Sequence, residues 1–401
     1  MKRRAVILVL DGCGVGAMPD AAPGELGRNT LAHISENGSL ELPTLASLGL
    51  GCITPTGIDP VAVPLAAYGR CAPVHPGADT YMGHQEIMGG GLAMVEFKLM
   101  DELSDCVTAA LEAAGHRVEP MMAGQPMLLV DGCALVADNI EARARLNVNV
   151  TASLDDISFE DLTSIGLIVR EAIRVSRVIV VGGRGFTIDD IRANIRTSDE
   201  GHVGVDTPEL GVYNEHYQVR HLGLDFPIEK QLPTRVREGG GSVVLLGKAA
   251  DVVRCEGALA ENLVATDDVF DAVLRHLDAM TEGLIVANVQ ETDLAGHEED
   301  PHRYRRVLRR VDARLPEVMS RLTELDILLI TADHGNDPTS GSSRHTREYV
   351  PVLAYGAQFS PVDLGIRSTL ADVGATVAEL FDLLPLDSGT SFAREILCSS
   401  T

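Results

Sequence analysis

The chain reads as an α/β protein built on a mostly parallel sheet covered by helices, and three observations carry that reading. Short apolar runs recur at 5–10, 178–181, 243–246, 284–288, 327–331 and 350–355, with the length and composition of buried strands. Helical patterns separate several of them. Tyr304, Val307, Leu308, Val311, Leu315, Val318, Met319 and Leu322 recur at three- and four-residue intervals, which places them on one helix face. Strands alternating with helices imply a sheet with both faces covered. Several runs also lead into a carboxylate or imidazole, and the carboxyl edge of an open α/β sheet is where ligands collect.

In chain order, the run 5–10 ends in Asp11-Gly12. A polar stretch follows at Asp79-Thr80-Tyr81-Met82-Gly83-His84-Gln85-Glu86, where a hydroxyl residue stands near a glycine. The run Glu238-Gly239-Gly240-Gly241-Ser242 reads as a flexible return loop before the strand at 243–246. The run 284–288 leads to Asp293-Leu294-Ala295-Gly296-His297. The helix at 304–322 contains Pro316, which predicts a kink or a restart. The run 327–331 delivers Asp333-His334 into a turn at Gly335, and His345 lies eleven residues after His334. Asp11, Thr80, Asp293, His297, Asp333, His334 and His345 form a set rich in carboxylate and imidazole, without thiolate. Such donors suit Mn, Zn, Fe or Mg and argue against a cysteine-based structural zinc site. Metal ligands drawn from both ends of the chain must meet, so residues 1–94 and 224–401 are expected to form one core, interrupted by an inserted domain at 95–223.

A length of 401 residues supports a large core and more than one domain. With 45% hydrophobic but only 4% aromatic residues, that core must be aliphatic. A net charge of −25 argues against nucleic acid or an anionic membrane as partner. No apolar run reaches the roughly 20 residues of a membrane span, and no signal-like segment leads the chain. Seven scattered cysteines without paired spacing read as reduced thiols, which predicts a cytoplasmic protein. Cys13, two residues after Asp11, reads as a small core residue. Oligomeric state is left open.

Asp11 in its strand-end setting, Asn29-Thr30-Leu31-Ala32-His33-Ile34, the stretch from Asp79 to Glu86, Asp312-Ala313-Arg314-Leu315-Pro316-Glu317, Thr331-Ala332-Asp333-His334-Gly335-Asn336-Asp337 and His345-Thr346-Arg347-Glu348-Tyr349-Val350-Pro351 together resemble the phosphopentomutases. Those enzymes belong to the alkaline phosphatase superfamily, alongside cofactor-independent phosphoglycerate mutases. The resemblance runs in order through both terminal thirds and is weaker between about 100 and 230. It implies an alkaline-phosphatase-like core with an inserted α+β cap. It also implies two divalent metals, Mn2+ by preference with Zn2+ or another ion as alternative, and a sugar bisphosphate as activator. Asp11, Thr80, Asp333 and His334 match the ligands of one metal, and Asp293, His297 and His345 those of the other. Thr80 matches the residue that becomes phosphorylated.

The resemblance further implies substrate contacts from Lys248 and from Ser153 and Asp155. Arg196, Arg184 and His216 are added because they sit near polar or Gly-rich turns. His84 and Glu86 lie close enough to Thr80 to orient a ligand or phosphate, or to tie down the loop. His33 reads as structural, and Tyr81 narrows the space beside Thr80. Four features depart from the family pattern. Ala78 stands for a lysine, Gln85 for a tryptophan, and Glu298-Glu299 for an Arg-Arg pair. The carboxylate Asp293 lies four residues before His297 rather than five, with Thr292 in the five-back position.

The resulting expectation is a phosphomutase acting through phospho-Thr80 on a small sugar phosphate, most specifically between the 1- and 5-phosphates of ribose or deoxyribose. A two-metal phosphohydrolase, a phosphomutase for another phosphorylated metabolite, and a non-catalytic metal-bound binding module are the alternatives.

Overall fold

The computed structural model describes residues 3–36, 38–53, 56–75, 77–91, 95–140, 145–198, 201–212, 214–224 and 227–397. Position 94, an expected boundary, and Cys398 lie outside the described residues. The chain divides into two compact units, Met1–Leu92 with Phe226–Thr401, and Ala93–Asp225.

The first unit is organised by an eight-stranded sheet in the order Leu259–Glu261, Ser242–Leu246, Gly283–Val289, Arg4–Leu10, Ile327–Thr331, Val350–Tyr355, Ala67–Cys71, Asp363–Arg367. Every neighbouring pair is parallel except the two that Val350–Tyr355 makes, so that strand alone runs against the others. The central strands Gly283–Val289, Arg4–Leu10 and Ile327–Thr331 are buried almost throughout. Uninterrupted Val, Ile and Leu suit them because helices cover both faces, leaving no solvent side on which polar residues would alternate. One helix group contains Thr266–Ala279, Glu291–His297 and Pro301–Arg321; another contains Thr80–Ile87, Leu232–Glu238 and Ala371–Leu380.

Pro301–Arg321 is one helix that passes through Pro316 without restarting. Its buried stripe Tyr304, Leu308, Val311, Leu315 and Val318 continues across the proline, and that burial outweighs the one helical hydrogen bond a proline removes. The triple glycine is a defined turn. Gly240, with φ of +88°, and Gly241 donate to the carbonyls of Arg237 and Val236, closing the helix Leu232–Glu238.

The second unit holds a six-stranded sheet in the order Gln218–Gly223, Arg177–Gly183, Asn147–Ser153, Ala134–Asp138, Leu128–Val130, Val118–Pro120. Only Asn147–Ser153 and Arg177–Gly183 are parallel; the other pairs are antiparallel. Val148, Val150, Val178 and Val180 pack with Val107, Leu111, Leu162, Ile165 and Val169 of the helices Met100–Ala113 and Phe159–Ala172. The opposite set, Leu135, Ala137, Ile179 and Val181, packs with Phe186, Val203 and Val205. This is an α+β unit inserted into an α/β one.

Candidate metal centre

The registry of the first unit's sheet explains how distant residues meet. Leu10 pairs with Val289 and Val9 with Thr331, so three adjacent parallel strands end level, and Asp11, Asp293 and Asp333-His334 follow at one edge. Ala67–Cys71 points the same way and leads to Thr80. Ser242–Leu246 leads to Gly247-Lys248. The one antiparallel strand begins where the others end, and His345 lies just before it.

Two groups converge there: Asp293 with His297 and His345, and Asp11 with Asp293 and His334, the donor atoms of each lying within 4.8 Å of one another. Asp293 belongs to both. Asp333 adjoins the second group, its Oδ2 lying 3.4 Å from His334 Nε2 and accepting from Thr80 Oγ1 at 2.6 Å. Asp11, Asp333 and His334 are at most 1% exposed, Asp293 is 2% exposed, and His297 reaches solvent.

The donor atoms fit divalent metals. His297 Nδ1 lies 2.6 Å from the Ser343 carbonyl and His345 Nδ1 lies 3.0 Å from that of Ala78. A carbonyl only accepts, so both rings carry hydrogen on Nδ1 and turn Nε2 inward. The two Nε2 atoms stand 3.1 Å apart, with Asp293 oxygens at 3.4 and 3.2 Å. Asp11 Oδ1 and His334 Nε2 are buried, 3.5 Å apart, and hydrogen-bonded to nothing. Buried oxygen and nitrogen acceptors facing one another are costly unless a cation lies among them.

The electrostatics follow from this crowding. Burial, reinforced by Asp333 and Asp293, pushes the Asp11 carboxyl up to about 7. Burial opposes the charge of Asp333, but the His334 and His84 imidazoles hold it well below the ordinary carboxylate range. Burial lowers His334 to about 4, which keeps its imidazole neutral and able to ligate. Asp293 raises His297 by hydrogen bonding; for His345 burial lowers and Asp293 raises, with the balance upward. Burial of Lys248 disfavours its charge, yet Asp11 and Asp293 hold it well above the ordinary lysine range.

Thr80 opens the helix Thr80–Ile87, capped by Asp79, whose carboxylate accepts from Met82 N. The helix can lie against Asp333 because position 83 is glycine; a Cβ there would stand 2.5 Å from the Asp333 carbonyl oxygen. Gly296 has the same role in the helix Glu291–His297, where a Cβ would stand 2.3 Å from Asn336 Cγ. His84 Nδ1 lies 2.8 Å from the Thr80 carbonyl and 3.3 Å from Asp333 Oδ2. Glu86 touches no candidate ligand. It accepts from Val74 N, His75 N, Thr369 Oγ1 and Leu370 N, tying down the loop. His33 joins Asp337 at 2.6 Å, fastening the first helix to the Asp333-His334 turn. Tyr81 is half-buried beside Thr80.

Lys248 Nζ lies 2.8 Å from Asp11 Oδ2 and 3.0 Å from Asp293 Oδ2. The other expected substrate contacts lie in the second unit. Ser153 Oγ accepts from Asp155 N, and Asp155 pairs with Arg184 at 2.9 Å. Arg196 donates to the carbonyls of Ala193 and Ile195, and His216 Nε2 lies 3.6 Å from Glu215.

The departures from the family pattern each have a local structure. Thr292 Oγ1 donates toward the Asp11 carbonyl at 2.7 Å, while the next residue supplies the carboxylate. Gln85 is buried, donating to Val252 O and accepting from Gln231 Nε2, both at 2.7 Å. Glu298 pairs with Arg303 at 2.5 Å, which neutralises one of the two added negative charges. Cys13 is buried, and burial and Glu348 push its thiol above the ordinary range.

Three residues escaped the sequence reading: Asn336, which donates to Asp293 Oδ1 at 2.8 Å, Asn288, which meets His84 Nε2 at 3.1 Å, and Gln231. Asn288 carried a signal, an amide inside an otherwise apolar strand.

A family model of the metalloenzyme superfamily matches residues 3–385. The phosphopentomutase of Desulfitobacterium hafniense (strain DSM 10664 / DCB-2) is 35% identical over 408 residues, covering 98% of this chain and 100% of that protein. The phosphopentomutase of Caldanaerobacter subterraneus subsp. tengcongensis is 32% identical, covering 99% and 98%. Among solved structures, Leishmania mexicana phosphoglycerate mutase superposes with a TM-score of 0.52 at 12% identity, covering 98% of this chain and 97% of that one, a likeness of fold.

Proposed function

Because the chain belongs to the metalloenzyme superfamily and, within it, to the phosphopentomutase family, we propose that it interconverts the 1- and 5-phosphates of ribose or deoxyribose through a phosphorylated Thr80. As a member of that family it is an enzyme, a metal-dependent phosphomutase of the isomerase class acting on a small phosphorylated sugar. The observation that carries the finer reading is the 2.6 Å hydrogen bond from Thr80 Oγ1 to Asp333 Oδ2. It aims an otherwise weak nucleophile into the group formed by Asp11, Asp293 and His334.

Asp11, Asp333, His334 and Thr80 would hold one divalent metal, and Asp293, His297 and His345 the other, with Mn2+ favoured over Zn2+. Metals bound there lower a hydroxyl pKa and neutralise phosphate charge, the main requirements of phosphoryl transfer. Asp333 stays ionised and orients the Thr80 hydroxyl. Thr80 forms its bond to phosphorus as the donor P–O bond breaks, its hydroxyl proton ending on the departing sugar oxygen; the phosphoryl group then passes to the second hydroxyl of the sugar, whose proton ends on Thr80. His84 fixes the first turn of the Thr80 helix by bonding the Thr80 carbonyl. The acceptor oxygen sits at the amino end of that helix, where backbone N–H groups favour the incoming negative charge. Asp293 serves both groups and keeps Lys248 beside them, within reach of an anionic substrate. Ser153, Asp155 and Arg196 are proposed sugar contacts, and a sugar bisphosphate is the proposed activator.

Pairing of Glu298 with Arg303 offsets one of the two negative charges that stand in place of the arginine pair. The six described cysteines are all free, which supports a reducing, cytoplasmic setting, and no described helix is long and apolar enough to cross a membrane. The test is peptide mass spectrometry of Mn-loaded protein incubated with ribose 5-phosphate and a catalytic sugar bisphosphate, with ribose 1-phosphate assayed in parallel. Phosphate on Thr80 with pentose isomerisation is the expected outcome. Label without isomerisation refutes the pentose substrate. Release of inorganic phosphate without isomerisation marks a hydrolase, and no label refutes the Thr80 mechanism.

A further inference from the structure

We propose that Arg347 is a positioning residue that clamps the loop carrying Thr80 and so sets the Thr80–Asp333 distance. The inference rests on the reading of Thr80 as the phosphoryl acceptor. Residues 73–75 and 77, between the strand Ala67–Cys71 and the Thr80 helix, join no strand, so their backbone groups need other partners. The N–H groups of Val74 and His75 go to Glu86. The carbonyls go to Arg347, which is only 4% exposed. Nη1 donates to His75 O at 2.5 Å and Gly77 O at 2.9 Å, and Nη2 to Pro73 O at 2.7 Å. Nε and the remaining Nη2 hydrogen go to Asp20 at 3.1 and 3.0 Å. All five guanidinium donors are therefore used, three of them on one loop.

The clamp is rooted in the centre. Two residues earlier, His345 Nδ1 donates to Ala78 O. Thr346 exchanges backbone hydrogen bonds with Gly335, next to His334, and Met18 N donates to Arg347 O. The stretch 345–347 thus holds the approach to Thr80 at four carbonyls, from residues 73, 75, 77 and 78. A lysine has the same charge but one nitrogen and no fork, and cannot span three carbonyls and a carboxylate. A misplacement of about 1 Å at a reacting group costs on the order of 100-fold in rate, so loosening this grip should slow transfer while leaving the carboxylate and imidazole candidates Asp11, Asp293, His297, Asp333, His334 and His345 to hold the metals.

The experiment compares Mn-loaded wild-type enzyme, Arg347→Lys and Asp20→Asn. It measures the rate of Thr80 phosphorylation, kcat and KM for isomerisation, and Mn2+ binding by calorimetry. We expect Arg347→Lys to lower the labelling rate and kcat about 10- to 100-fold, with KM and Mn2+ affinity within about threefold. Asp20→Asn, at an exposed side chain outside the loop, should lower kcat a few-fold with KM unchanged; it also decides the matter should Arg347→Lys not fold. Wild-type labelling rates in a folded Arg347→Lys, or unchanged kcat in Asp20→Asn, overturn the clamp. Loss of Mn2+ affinity in step with kcat overturns it too, because the effect would then lie on the metal. Absence of label in the wild type instead overturns the Thr80 reading, and the clamp with it.

Discussion

Replacing Lys248 by methionine tests the charge balance of the centre independently of turnover. The Lys248 ammonium lies 2.8 Å from Asp11 and 3.0 Å from Asp293. At about pH 8, above the value near 7 to which burial raises Asp11, and at an effective dielectric of about 20, these pairs are worth roughly 6 and 5.5 kcal/mol of Coulomb attraction. Desolvating three charged groups offsets much of that, and removing one partner from a buried ion pair costs about 3–5 kcal/mol because the remaining charges stay buried. Chelator-treated Lys248→Met should therefore lose about 3–5 kcal/mol. At roughly 2 °C per kcal/mol, extrapolating to a unit of this size, that lowers Tm by about 6–10 °C. With saturating Mn2+ the same carboxylates are neutralised by the metals, and the loss should shrink to about 1 kcal/mol. The assay is thermal unfolding of wild type and variant, each with chelator and with Mn2+. An equal loss under both conditions would falsify the assignment of Asp11 and Asp293 as metal ligands; no loss with chelator would refute the ion pair itself.

Thr80→Val should fold, bind Mn2+ and lose about 1 kcal/mol from the missing hydrogen bond, but never take up phosphate by peptide mass spectrometry; a labelled variant rules Thr80 out. Asp326 is buried, which raises its pKa, but Arg4 and Thr323 donate to it and the balance is downward. A carboxylate depressed in the fold stabilises above its unfolded pKa of about 3.9 and loses that contribution as pH falls through the folded value. Asp326→Asn should accordingly cost about 3–5 kcal/mol at pH 7 and flatten the acid limb of the stability profile below about pH 4, as read by urea unfolding across pH. Gln85→Leu leaves the Gln231 amide and the Val252 carbonyl without their partner, so the urea midpoint should fall by the equivalent of about 2–4 kcal/mol; an unchanged midpoint would show that the pair is not formed.

Much of the core was legible in the sequence because its signals are local. Buried parallel strands must be apolar throughout, so the runs at 5–10, 284–288 and 327–331 announce themselves, and Asp11 and Asp333-His334 stand directly after two of them. Pro316 by local rules allows a kink or a restart, and the restart does not occur because a packing stripe that only the folded sheet supplies carries the helix across it. Gln85 and Glu298 are polar substitutions whose partners, Gln231 with Val252 and Arg303, are set by helix packing and carry no sequence signature.

The sequence by itself determined the fold class, the donor chemistry of the centre and the family resemblance, because residue type and order encode each of them directly. Tertiary structure alone decided that Asp293 is common to both candidate ligand groups, that Lys248 lies between two carboxylates, and that Arg347 grips the loop before Thr80. Those facts depend on which strands lie side by side and on the one antiparallel strand that brings His345 to the carboxyl edge. Register and strand direction come from long-range pairing, which no local pattern of residues records.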